Sequence, residues 1–247
     1  MVKYPILLKA PITEALIDIR VKVREDLKIE QFDSIYNSVS KEYPVKNPRL
    51  KREGRFEFKK GEAPFSAATE IIDGYIFTSS DRKQIFQARL DGFTFNRLKP
   101  YVTWECFRDE ARRLWGKYRE VTSPEITRVA LRYINKMDFP LPIKDFSDYL
   151  TAPPIVPASL PQGINSFLTR IVIHEPDIGA TGIITQALEQ QIVNPNILTI
   201  ILDIDVFKQK AEGITEEEAW QTLEKLRHFK NKIFFESITE KARELFL

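Results

Sequence analysis

The sequence predicts an α+β fold made of two similar halves, and three observations carry that expectation. Runs of alternating apolar and polar residues, separated by turn residues, read as antiparallel strands with one buried face. Two long amphipathic segments, one mid-chain and one near the end, read as helices that cover such a sheet. After Ser123-Pro124 the order strand, helix, strands, long helix starts again, so residues 1–123 form one half and 124–247 the other, as two sheets or as one continuous sheet. The halves share almost no residue identity, and the expectation rests on element order alone.

Taken in order, Leu16 to Val23 alternates and predicts a first strand. Leu27 to Tyr43 spaces Phe32, Ile35, Tyr36 and Val39 as a helix and stops at Pro44, which disfavours a helical residue before it. Strands follow over Arg52 to Lys60, Gly74 to Ser79 and Gln84 to Leu90. Asp91-Gly92 then turns the chain into a strand through Phe93 and Phe95. Thr103 caps a helix whose apolar stripe is Trp104, Phe107, Ala111, Leu114, Trp115 and Tyr118.

In the second half Ile126 to Asp138 predicts a strand, Lys144 to Leu150 a short helix, and Thr151 to Gly163 an irregular proline-rich loop. Strands are expected at Phe167 to His174, Gly182 to Leu188 and Ile197 to Val206. Thr215 with Glu218, and Ser237 with Glu240, are capping boxes that open a long helix and a restarted final one. Each half then reads as an antiparallel sheet gripping one long helix, the layout of TATA-binding-protein-like and Bet v 1-like folds. That likeness concerns shape and carries no function.

Composition narrows the function classes. Lys and Arg number 37 against 35 Asp and Glu, a net charge of +2, which removes the bulk argument for a strongly basic nucleic-acid or membrane protein. One cysteine and two histidines leave no internal disulfide and few metal ligands, and the expectation is a reducing cytoplasm with no cofactor. There is no apolar run of membrane-spanning length, no export signal and no Gly-rich phosphate loop.

Four segments carry a family resemblance: Pro11 to Ala15; Gly92 to Tyr101 with Trp104; Leu131 to Asn135; and Phe234 to Thr239. Together they resemble a sporadically distributed, uncharacterised prokaryotic family of about this length. The resemblance implies no catalytic residues. Its scattered occurrence implies a setting such as anti-phage defence or a toxin and antitoxin module.

Candidate binding residues are Arg97, Tyr101, Trp104, Arg132, Tyr133 and Asn135. On the strand from Phe93 the aromatic rings either stack a base while Arg97 and Lys99 meet a phosphate, or pack a core. Tyr133 and Asn135 share the apolar face of their strand and need polar partners there, in a cleft or in a buried network, while Arg132 shares the other face with Ile134. A basic patch gathers Lys46, Arg49, Lys51, Arg52, Arg55, Lys59 and Lys60, which suits phosphates or guards an edge strand.

Asp203 and Asp205 project from one strand face at a spacing open to a divalent metal, but alternating solvent-facing acids look the same and no third ligand can be assigned. Cys106, beside Trp104 and Phe107, reads as a small buried residue. His174 and His228 stand outside any motif. No catalytic constellation emerges. The expected function is a non-enzymatic protein-binding component, an adaptor, sensor or inhibitor. A nucleic-acid or nucleotide-binding module is the alternative, and an enzyme with a cleft around Arg97, Tyr101, Arg132, Tyr133 and Asn135 comes third.

Overall fold

The computed structural model describes residues 4–57, 65–189 and 196–247. In chain order the elements are β1 (Ile12–Val21), α1 (Asp33–Val39, after a 3-10 turn at Ile29–Phe32), β2 (Val45–Glu57), β3 (Phe65–Thr78), β4 (Gln84–Arg89), β5 (Gly92–Leu98) and α2 (Trp104–Thr122). Then come β6 (Ile126–Pro140), β7 (Leu168–Glu175), β8 (Ala180–Glu189), β9 (Ile197–Ile214), α3 (Glu216–Ser237) and α4 (Glu240–Glu244). All nine strands join one antiparallel sheet in the order β2-β3-β4-β5-β1-β6-β9-β8-β7.

The two-half layout expected from the sequence is therefore corrected. One continuous sheet replaces two helix-gripping units, and β1 and β6 lie hydrogen-bonded at its middle, with Leu16 opposite Arg132 and Ile17 opposite Leu131. The helix expected over Lys144 to Leu150 is a single 3-10 turn at Phe146–Asp148, capped by the Asp145 carboxylate on the Ser147 amide at 2.7 Å. The chain leaves that turn to pair with the residues that close α3, Leu150 bridging Ile238 and the Thr151 amide reaching the Ser237 carbonyl, so no second turn forms.

Both long helices lie on one face of the sheet. Ala15, Ile17 and Ile19 of β1 stand opposite Tyr133, Leu131 and Val129 of β6 and, for Ile17 and Ile19, opposite Phe95 and Phe93 of β5, so these side chains form one apolar floor. Trp115 and Tyr118 of α2 meet Phe93 there, with ring centroids 5.8 and 6.0 Å apart. Leu223, Leu226 and Ile233 of α3 are buried over the β6–β9 side. The 3-10 turn tucks Phe32, and α1 Ile35 and Val39, into the same core, and Phe32 meets Tyr118. No described helix is long and apolar enough to cross a membrane.

Cap chemistry matches the sequence at two helices and departs from it at a third. The Thr103 hydroxyl accepts from the Cys106 amide and that of Thr215 from the Glu218 amide, each at 3.2 Å. At the final helix the cap is Thr239, accepting from the Ala242 amide at 3.2 Å, while Ser237 is still helical and bonds the Ile233 carbonyl at 2.7 Å. β9 runs eight residues past its expected end at Val206: Phe207 still pairs with both β6 and β8, and beyond it the polar stretch from Lys208 continues the strand on β6 alone, at Lys208, Gln209 and Ile214. Alternation by itself ends where the apolar residues end.

Candidate binding surface

Both long helices lie on one side, and among the described residues no helix covers the other side of the sheet. Alternation fixes what it shows: where Ala15, Ile17 and Ile19 face the helices, Glu14, Leu16, Asp18 and Arg20 face outward. Registers carry this across the sheet, so that Asn96, Leu16, Arg132, Asp205 and Ile183 form one transverse row, and Arg89, Gly92, Arg20 and Arg128 another.

Asp18, in the neighbouring row opposite Thr94 and Ala130, gathers the arginines of that second row. One of its oxygens accepts from Arg20 Nε at 3.1 Å and Arg128 at 3.0 Å, and the other from Arg89 at 2.9 Å and the Thr94 hydroxyl at 2.8 Å. Burial alone would raise its carboxyl. Arg89 and Arg20, with the Thr94 hydrogen bond, outweigh it and hold the group below the usual carboxylate range. Arg89 is only 3% exposed, and its remaining donors go to Thr94 at 2.7 Å and Asp91 at 3.0 Å.

Gly92 makes this path possible. Its φ is +155°, and a Cβ there would stand 2.4 Å from the Ile19 carbonyl and 2.8 Å from the Arg89 guanidinium. The hairpin glycine thus leaves the gap through which a buried arginine reaches its acid.

Further along the face Arg132 forms a two-pronged pair with Asp203, at 2.8 and 2.5 Å. Arg128 lies 3.7 Å from Asp205, whose carboxyl burial raises above its ordinary range against the pull of Arg128 and Arg132. The carboxylates weighed as metal ligands are thus engaged by arginines. Half-buried Leu16, Ile134, Ile183 and Ile201 stand between these charged pairs.

On the helix-covered side a second cluster forms where α2 begins and α3 runs over β6. The hydroxyls of Tyr101 and Tyr133 are 2.9 Å apart, and their rings meet edge to face at 5.5 Å. Burial pushes the Tyr101 hydroxyl up to about 12 and that of Tyr133 well above its usual value. Trp104 donates its indole N–H to both Glu224 oxygens at 2.9 and 3.0 Å, with Arg227 over its ring. Asn135 donates to the Leu202 carbonyl at 3.0 Å. The Lys230 amine sits 3.9 Å from the centre of the Tyr133 ring. Burial, helped by Arg227, lowers it to about 7.

Of the residues singled out in the sequence, Tyr101, Trp104 and Tyr133 gather in this seam, with Asn135 beside Tyr133 on β6. Arg97 is half-buried, and its Nε reaches the Pro100 carbonyl at 3.3 Å. Arg132 is on the opposite face of the sheet, so one cleft cannot hold it together with Tyr133 and Asn135. Phe93 and Phe95 are core rings and offer no stacking surface. Cys106, expected to be buried, is exposed on the first turn of α2, because its neighbours Trp104 and Phe107 take the inward positions.

In the basic patch Lys46 pairs with Asp33 and lies over the Tyr75 ring at 3.8 Å, while Arg49 binds Asp73 and, at 3.0 Å, Gln87. Lys51 is also engaged. Arg52 and Arg55 lie on the β2 backbone with side chains outside the described set, and Lys59 and Lys60 lie outside the described residues.

Asp18, Arg89 and Lys230 are the residues that the sequence reading missed. Lys230 had a signal: it falls four residues after Leu226 and three before Ile233, inside the apolar stripe of α3. Asp18 and Arg89 had none, since any outward strand position may carry a charge. No protein-family model and no curated protein matches the chain. Of the four segments singled out in the sequence, three lie on or beside the adjacent strands β5, β1 and β6, while Phe234 to Thr239 closes α3, where Ile238 bridges to Leu150.

Proposed function

We propose that this chain is a non-enzymatic protein-binding component, an adaptor, sensor or inhibitor, that receives its partner on the uncovered face of the sheet. The observation that supports this most is the makeup of that face. Its arginines are held by carboxylates of the same face in nearly equal number, and half-buried Leu16, Ile134, Ile183 and Ile201 stand between them. Locked, sign-balanced charges interleaved with apolar side chains suit a protein surface, where like-charge repulsion is small and ordered side chains lose little entropy on contact. A phosphate backbone instead calls for unpaired lysine and arginine along a groove, with exposed rings for bases. The seam around Tyr133 reads as packing: its two hydroxyls bond each other, its indole the Glu224 carboxylate and its amide the Leu202 carbonyl.

The test is affinity purification of the tagged chain from its native source, with two variants in parallel. A protein partner should copurify in constant ratio with the wild type and with Lys225→Glu on the exposed side of α3, and be lost from Arg132→Glu with Ile183→Arg. Retention of the partner by the double variant, or recovery of nucleic acid released by salt in its place, overturns the reading.

A further inference from the structure

The sheet ends in two edge strands that are protected very differently. β2 carries Pro48, a register break after Arg49 and a run of Lys46, Arg49 and Lys51, three devices that discourage edge pairing. β7 has none of them. It contains no proline or lysine, and it exposes apolar side chains on both faces: Leu168 at 71% and Val172 at 54% on one, Ile171 at 49% on the other.

Its backbone polarity follows from one hydrogen bond. The Phe167 carbonyl accepts from the Leu188 amide at 3.1 Å, so the odd-numbered residues of β7 turn their N–H and C=O groups toward β8. Leu168, Arg170, Val172 and His174 turn theirs outward, and no described residue meets them.

We propose that β7 pairs antiparallel with β7 of a second copy of this chain, with the two-fold axis at Ile171. A two-fold axis through an antiparallel pair stands perpendicular to the sheet and keeps both helix layers on one side, so opposed residues must both be odd or both even. With Ile171 on the axis, Arg170 faces Val172 and Leu168 faces His174 in both directions. All four outward residues of each strand then bond within the strand, and no two like charges stand opposite. Centring on Val172 sets Arg170 against His174, and centring on Ile173 brings in Pro176, which has no N–H. The strand is self-complementary in one register, which is what a second copy requires and an unrelated peptide does not. The proposal is independent of the reading of the uncovered face and would join two such faces into one.

Sedimentation across a concentration series reads the mass, and cysteine pairing reads the register, both in a Cys106→Ser background because Cys106 is exposed. A residue on the axis at a non-hydrogen-bonded position has its Cα about 4.5 Å from its copy, within disulfide reach. The wild type should sediment as a dimer, Ile171→Cys should oxidise to a covalent dimer while Val172→Cys does not, and Ile171→Lys should sediment as a monomer with an unchanged circular dichroism spectrum. Leu50→Lys on the β2 edge should remain dimeric. A wild type that stays monomeric at every concentration, or a Val172→Cys dimer that forms as readily as Ile171→Cys, overturns the proposal.

Discussion

Asp18, half-buried on one face of the sheet, and Lys230, buried against the other, are charged residues near its middle, and their surroundings differ in kind. Asp18 receives three arginines and a hydroxyl. Lys230 has the face of one tyrosine ring, and among the described residues no carboxylate or hydrogen-bond acceptor reaches its amine. The consequence appears in the direction of each shift: the Asp18 carboxyl is held in its charged form, while the Lys230 amine is pushed toward its neutral one. A buried charge supports the fold when its partners replace the water it has lost, and it opposes the fold when only packing does.

The sharpest way to break the comparison is Asp18→Asn. It removes the charge shared by Arg20, Arg89 and Arg128 and turns one accepting oxygen into a donor amide, a loss of about 3 to 5 kcal/mol that a urea unfolding midpoint would record. Because its folded-state value is depressed, the stability from Asp18 is present above the ordinary carboxylate range and lost as pH falls through the lower value. The variant should therefore show a flatter acid limb than the wild type.

Lys230→Met should act in the opposite direction. Near pH 7 it should stabilise by roughly 2 to 4 kcal/mol, since the wild type must bury an amine that the unfolded chain keeps charged. With the folded value near 7 and the unfolded value near 10.5, the unfolded state binds more protons between them, so wild-type stability rises with pH across that window. The difference between wild type and variant should shrink from pH 7 to pH 9.5, measured as urea midpoints. A constant difference would mean that Lys230 is charged and partnered after all.

Gly92→Ala tests the route between Arg89 and Asp18 without touching either charge. Its Cβ would strike the Ile19 carbonyl and the Arg89 guanidinium, and the cost should be roughly 2 to 3 kcal/mol in a thermal melt. The smallest effect belongs to Arg132→Ala. Its pair with Asp203 is two-pronged but 44% exposed at the arginine, so stability should fall by about 0.5 kcal/mol, less in high salt, even though partner binding should suffer.

Much of the secondary structure was legible in residue patterns, for particular reasons. Thr103 and Thr215 announced α2 and α3 because a capping hydroxyl acts on amides three residues away. Asp91-Gly92 announced the β4–β5 hairpin because the turn needs a glycine backbone. The final cap was misplaced at Ser237 because Thr239, two residues on, offers the same chemistry. The candidate residues were legible as types and not as a site. Arg132 and Tyr133 are neighbours in the chain and on opposite faces of the sheet, and Asp18 meets Arg89 and Arg128 only through pairing with β5 and β6.

By itself, the sequence determined the two long helices and most of the strands, which face of each strand is apolar, and that positive and negative charge nearly cancel. Those properties are local, set by side-chain period, caps and turns within a few residues. The tertiary structure decided that the strands form one sheet, that both long helices cover the same face, and that Asp18 is surrounded while Lys230 is stranded. These depend on strand order and register, which bring together residues as far apart as Asp18 and Arg128, and alternation in a single strand does not specify which strand will lie beside it.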